Sequence, residues 1–178
     1  MKPSWITGII LTAIAGATIS AISILQRTNQ ASIALTEEWI ATQVADGDSI
    51  TVRQTDGSQM SVELCGIDAP ELKQGEAPRQ ALAHEAKQKL LKLIAAADNQ
   101  LMIVPVAKDS DGRAVAEVMA HGRGEAEISF QEELLKNGLA RTRNSSVECP
   151  NQLAFEQAQD IAKASKLGIW NQSNLERH

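Results

Sequence analysis

Tyrosine is absent from this chain, and aromatic residues of any kind make up 3% of it, as two Phe and three Trp. Proteins that hold nucleic-acid bases commonly stack them on aromatic faces, so base stacking has little to be built from here. Histidine occurs three times and cysteine twice. No Cys/His spacing of a zinc site is present, and no glycine-rich loop of the phosphate-cradling kind. Basic charge is scarce as well. Residues 1–26 hold one Lys and no acid, so the remainder carries 16 basic and 22 acidic residues, a formal charge of −6. An acidic domain repels a polyphosphate at long range, which argues against strong non-specific DNA binding and leaves room only for a local basic patch.

What is present begins with an uncharged run from Pro3 to Gln26, apolar over residues 5–25. About 20 such residues span a bilayer and exceed most signal-peptide cores. The run has no polar stripe, unlike a helix packed on a core. It predicts a signal peptide or membrane anchor over 1–26 and a linker over 27–36. A domain over 37–172 and a tail over 173–178 follow. The domain is then exported: anchored through residues 5–25 and facing the periplasm or outside, or secreted if the segment is cleaved. At 178 residues and 43% hydrophobic composition, one domain with a substantial core is expected. Cys65 and Cys149 fit either a disulfide, as in exported domains, or two separate buried thiols.

Periodicity predicts a mixed α+β domain. Strands are expected at 40–44, 49–55 and 60–67, the last two joined at Asp56-Gly57. A loop over 68–78 leads to a helix at 81–97 with Leu82, Ala86, Leu90, Leu93 and Ile94 on one face. Strands at 101–106 and 114–119 follow, then a turn over 121–124. Helices are expected at 128–136, capped by Asn137-Gly138, and at 151–166. Trp170 is expected to pack back on the domain.

Three acidic or basic turns carry the chemistry. Asp46-Gly47-Asp48 lies between two strands, and Asp68-Ala69-Pro70-Glu71 ends another. Asp111-Gly112-Arg113 precedes a fourth strand. Each alone is a plausible solvated turn. Together, in this order and with Asn137-Gly138-Leu139-Ala140 and Gly168-Ile169-Trp170 behind them, they resemble the staphylococcal nuclease (thermonuclease) family over about residues 38–171.

The resemblance implies a five-stranded oligonucleotide-binding (OB-fold) β-barrel with three helices, preceded by the N-terminal hydrophobic helix. It implies a Ca²⁺-dependent nuclease that hydrolyses phosphodiester bonds of DNA or RNA, single strands above all, as a monomer. Asp48 and Asp68 would hold Ca²⁺ through carboxylates and Ala69 through its carbonyl, hard oxygen donors suited to that ion. Glu71 would activate water, Arg113 would bind the scissile phosphate, and Asp46 would shape its turn.

Glu63 stands where the family carries a second phosphate-binding arginine. At about 5 Å and an effective dielectric near 20, a like-charge pair costs roughly 3 kcal/mol, so attenuated cleavage is expected. The alternative is a catalytically silent barrel that binds nucleic acid or a protein. A hairpin pivoting at Gly57 would set Thr51 opposite Glu63 and Arg53 diagonally across, where Arg53 would neutralise it. Arg141 and Arg143, in a region where the family carries tyrosine, are candidate phosphate contacts. His84 and His121 are expected in solvent. Asp109-Ser110-Asp111-Gly112 opens like an EF-hand loop but lacks the closing Glu.

Overall fold

The computed structural model describes residues 38–72, 77–122, 126–144 and 146–171, without the Pro78 side chain. The expected anchor, the linker, the tail and residues 123 and 124 of the expected turn lie outside them. Among the described residues no helix is long and apolar enough to cross a membrane.

The described residues form eight strands, three α-helices and a closing 3₁₀ turn. β1 (Glu38–Val44), β2 (Ser49–Arg53) and β3 (Gln59–Leu64) form an antiparallel meander. β5 (Gln100–Lys108) pairs with β1, and β6 (Ala114–His121) pairs with β5. β6 then pairs in parallel with β3, which closes a five-stranded barrel. β7 (Glu127–Ser129) extends β6. The barrel interior is filled by Ile50, Val52, Val62, Leu64, Leu101, Ala116 and Val118, every one buried. These positions alternate along each strand, as a half-buried strand requires.

Helices cover the barrel. α1 (Ala77–Ala96) buries Leu82, Ala86, Leu90 and Ile94, the stripe its sequence predicts. It starts four residues before the expected 81, because proline is tolerated in the first helical turn, where its missing N–H has no helical partner anyway. α2 (Phe130–Lys136) starts two residues later than expected. Residues 127–129 are drawn into β7 instead, and the Ser129 hydroxyl caps the helix by accepting from the Glu132 N–H at 3.3 Å. α3 (Gln152–Ala164) presents Phe155 and Ala158 to the core.

The expected strand over 60–67 is broken. Cys65-Gly66 turns the chain, and Ile67-Asp68 forms a separate short strand, β4, paired with β8 (Arg141–Thr142). A two-residue strand has no periodicity to read, so residues 141–142 carried no strand signal. Cys65 and Cys149 are bridged with their Cα atoms 6.0 Å apart, inside the usual range. The bridge ties the end of β3 to the segment between β8 and α3.

The hairpin register also differs from the expected one. The turn runs from Gln54 to Ser58, closed by the Gln54 N–H on the Ser58 carbonyl at 2.9 Å. The Asp56 carboxylate accepts from the Ser58 N–H at 2.8 Å and so fixes the pivot at residue 56. Ser49 therefore faces Glu63, while Arg53 faces Gln59 at the far end. Arg53 is four residues along the strand from Ser49, about 13 Å, and has no part in neutralising Glu63.

Candidate active site

The β1–β2 turn is built around Asp46. Its Oδ1 accepts from the Asp48 N–H at 3.2 Å and the Ser49 hydroxyl at 2.7 Å, so Asp46 shapes the turn. Gly47 lets this turn lie flat on its neighbours. A Cβ there would stand 2.7 Å from the Cβ atoms of both Ala69 and Ala86. With that approach allowed, Asp48 Oδ2 accepts the Ala69 N–H at 2.6 Å, and the Asp48 carbonyl accepts from Leu64 N–H at 2.8 Å. Side chain and backbone of Asp48 thus suture two turns that are 21 residues apart in sequence.

Asp48 is buried, and its carboxyl is pushed up to about 8. Burial is the main cause, the Ala69 N–H pulls the other way, and the carboxylates of Asp46 and Glu63 add repulsion.

The parallel pairing of β3 with β6 sets Val62 beside Ala114 and Glu63 beside Val115. It brings the Asp109–Arg113 turn against Glu63. Arg113 Nη1 lies 2.9 Å from Glu63 Oε2, and its Nε donates to Asp109 Oδ2 at 2.7 Å. Asp109 Oδ1 accepts the N–H groups of Asp111 and Arg113, each at 2.9 Å. The acid-rich turn therefore aims an arginine.

From the other side, β8 brings two more guanidinium groups. Arg141 donates from Nε to Asp68 Oδ2 at 2.8 Å and places Nη2 2.7 Å from the same atom. Arg143 Nη2 lies 3.3 Å from Glu63 Oε1 and 3.3 Å from Asp68 Oδ1. Its backbone N–H is pinned to the Gly66 carbonyl at 2.8 Å. Burial pushes the Glu63 carboxyl up, and Arg113 and Arg143 pull it back only in part.

Glu71 is exposed and lines a cleft of about 480 Å³ together with Asp68, Ala69, Pro70, Arg79, Leu82, Arg141, Ile169 and Trp170. His84 and His121 are exposed.

A family model described as staphylococcal nuclease homologue matches residues 61–172, more than half of the chain. The chain belongs to this family. A thermonuclease of Staphylococcus hyicus is 32% identical over 128 residues, covering 72% of each chain. A thermonuclease of Staphylococcus intermedius is 30% identical over 134 residues, 75% of this chain and 76% of that one. A probable endonuclease LCL3 of Nakaseomyces delphensis is 32% identical over 121 residues, 66% of this chain and 45% of that one.

Within this staphylococcal nuclease homologue, the candidate residues fall into two linked groups. Asp48 touches Ala69, and Glu63 touches Arg113. Arg143 joins the groups by contacting Glu63 and Asp68 together. Arg141 and Arg143 proved to be the ion-pair partners of Asp68 and Glu63. Their basic charge just after Gly138-Leu139-Ala140 was the available signal.

The donor types are those of a hard cation, but both Asp68 oxygens are paired with Arg141 and Arg143 and the Asp48 carboxyl is pushed up to about 8, so a cation would displace an arginine and a proton. Two carboxylates and one backbone carbonyl, from Asp48, Asp68 and Ala69, come from adjoining turns, and oxygen is the donor that Ca²⁺ prefers. Among the described residues no three His, Cys, Asp or Glu side chains converge on one point. A cation held here would complete its shell with the carbonyl and water.

Proposed function

We propose that this chain hydrolyses nucleic-acid phosphodiester bonds with Ca²⁺ held by Asp48, Asp68 and the Ala69 carbonyl. The observation that carries the reading is the convergence of the Asp48–Ala69 contact and the Glu63–Arg113 pair on adjoining turns, in a member of a nuclease family. The bound ion would supply Lewis-acid stabilisation of charge on the phosphate.

The chain's own groups do the rest. Arg113 is held by Asp109 through Nε and by Glu63 through Nη1. Among the described residues its Nη2 has no partner and is left for a phosphate oxygen, where a guanidinium offsets charge that grows in the transition state. Glu71, in the cleft beside Asp68 and Ala69, takes the proton of the attacking water. That cleft is open, as a strand of nucleic acid requires, and single-stranded DNA or RNA is the substrate class. The proposal extends to an exported domain, anchored through residues 5–25 or released by cleavage.

Glu63 was expected to weaken the site by uncompensated negative charge. Its two oxygens are instead paired with different arginines. The repulsion estimated from sequence is thereby reduced.

The test is cleavage of a labelled single-stranded oligonucleotide with Ca²⁺ or with chelator. Glu71→Gln should lower the rate by at least about 10²-fold, the usual scale for a general base, with the melting temperature unchanged. Cleavage that persists in chelator, or a Glu71→Gln protein as fast as the parent, would refute it.

A further inference from the structure

Resting on the nuclease reading, we infer that Arg143 is the second phosphate-binding cation of this site, and that Glu63 is the positioning residue that holds it and Arg113 a carboxylate's width apart. The two guanidinium groups sit on opposite oxygens of one carboxylate, Arg113 on Oε2 and Arg143 on Oε1. Two oxygens of one phosphate present nearly the same spacing.

Arg143 spends only Nη2 on its described ion pairs with Glu63 and Asp68. Among the described residues, its Nε and Nη1 and the Nη2 of Arg113 make no bond, and both side chains are roughly two-fifths exposed. An arginine has five donors in a rigid fork, so each can hold Glu63 and a phosphate together.

The charge at this corner supports the same conclusion. Glu63 and Asp68 are balanced by Arg141 and Arg143, a net charge of zero beyond that of Arg113, the same as a single arginine at position 63 beside Asp68 would give. Arg143 is fixed well enough to serve. Its N–H is bonded to Gly66, β8 is paired with β4, and the Cys65–Cys149 bridge closes the turn behind it.

Two measurements on the full chain test this. The first needs neither metal nor turnover: binding of a fluorescent ten-nucleotide single-stranded DNA in chelator, by anisotropy across a salt series. Arg143→Ala should weaken binding about tenfold, and the salt slope should fall by about 0.7 for one lost phosphate contact. Arg53→Ala, the same charge change at the far end of β2, should alter neither by more than about twofold. Arg143→Lys should fall between the parent and Arg143→Ala, because it keeps the charge and the salt slope but loses the fork.

The second is Ca²⁺-dependent cleavage. Arg143→Ala should lower kcat/KM by about 10²-fold or more. Glu63→Arg alone should lower it at least about tenfold, because a third cation repels the two arginines and neither is held. The swap Glu63→Arg/Arg143→Glu should recover to within about tenfold of the parent, because it returns one anion and one cation to the pair; the salt slope of the first measurement is the readout that a purely structural role does not move.

The inference is overturned if Arg143→Ala binds and cleaves like the parent, if Arg53→Ala is equally defective, if Glu63→Arg by itself raises cleavage, or if the swap is no better than the single variants. If the parent cleaves nothing, the nuclease reading fails, and the affinity arm still decides whether Arg143 is a phosphate contact.

Discussion

Asp48 shows how one residue can be stable in one protonation state and useful in another. Its carboxyl has an ordinary value of 3.8 and rises to about 8 in the fold. Below about pH 4 it is protonated whether the chain is folded or not. Between about pH 4 and 8 the unfolded chain releases the proton while the fold retains it, so stability falls as pH rises, by up to about 1.4 kcal/mol per pH unit. Glu63, raised first by its burial, adds to the slope. Melting temperature in chelator should therefore decline across this window, and Asp48→Asn should flatten the decline. A melting temperature that rises from pH 5 to 8 would contradict the environment described for Asp48. Ca²⁺ added to the parent at pH 8 should restore stability, since a cation replaces the proton, and calorimetry should find no such binding in Asp48→Ala.

At the scale of elements, position depends on small residues where backbones touch. Gly138, just past α2, and Gly168, at the start of the closing 3₁₀ turn, have φ of 65° and 52°. A Cβ on Gly138 would overlap the Leu167 carbonyl, and one on Gly168 would overlap the Gly138 carbonyl. The Ile169 N–H then bonds the Gly138 carbonyl at 2.9 Å. This contact holds the Ile169–Trp170 wall of the cleft, with Lys163 of α3 5.2 Å from the Trp170 ring centre. Gly138→Ala should cost about 2 kcal/mol or more, from left-handed strain plus the collision, measured by urea unfolding. A change below about 0.5 kcal/mol would show that the junction yields easily. Gln131 plays a comparable part in α2. Fully buried, it accepts from Val118 N–H at 3.2 Å and donates to the Ala116 carbonyl at 3.0 Å. It thereby locks the helix to β6, the strand that closes the barrel.

For the whole molecule, closure by β3 and β6 is one long-range constraint and the disulfide is another. The Cys65–Cys149 bridge spans 84 residues of sequence. A loop of that length loses enough unfolded-state entropy to stabilise the fold by about 2–5 kcal/mol. Cys65→Ser/Cys149→Ser should lower the melting temperature by roughly 10 °C. A fall of less than about 2 °C would mean that the loop is already restrained without the bridge. Because the bridge backs the β8 turn that carries Arg141 and Arg143, the oligonucleotide affinity of the double variant should fall as well.

The amino-acid sequence alone determined the long strands and the three helices that cover the barrel, but not the short strands β4, β7 and β8, which tertiary pairing makes. Alternation over residues 49–53 and the Leu82–Ile94 stripe are local, and the hydrophobic effect reads them locally. It also determined the family, because the acidic and arginine turns recur in fixed order. Only the tertiary structure decided what Glu63 faces. The turn centred on Asp56, not on Gly57, moved Arg53 out of reach. The parallel β3–β6 pairing brought Arg113 in, and the two-residue strand β8 brought Arg143 in from 80 residues away. Charge compensation between distant residues leaves no periodic trace in a sequence, because the energy depends on distance in space and not on separation along the chain.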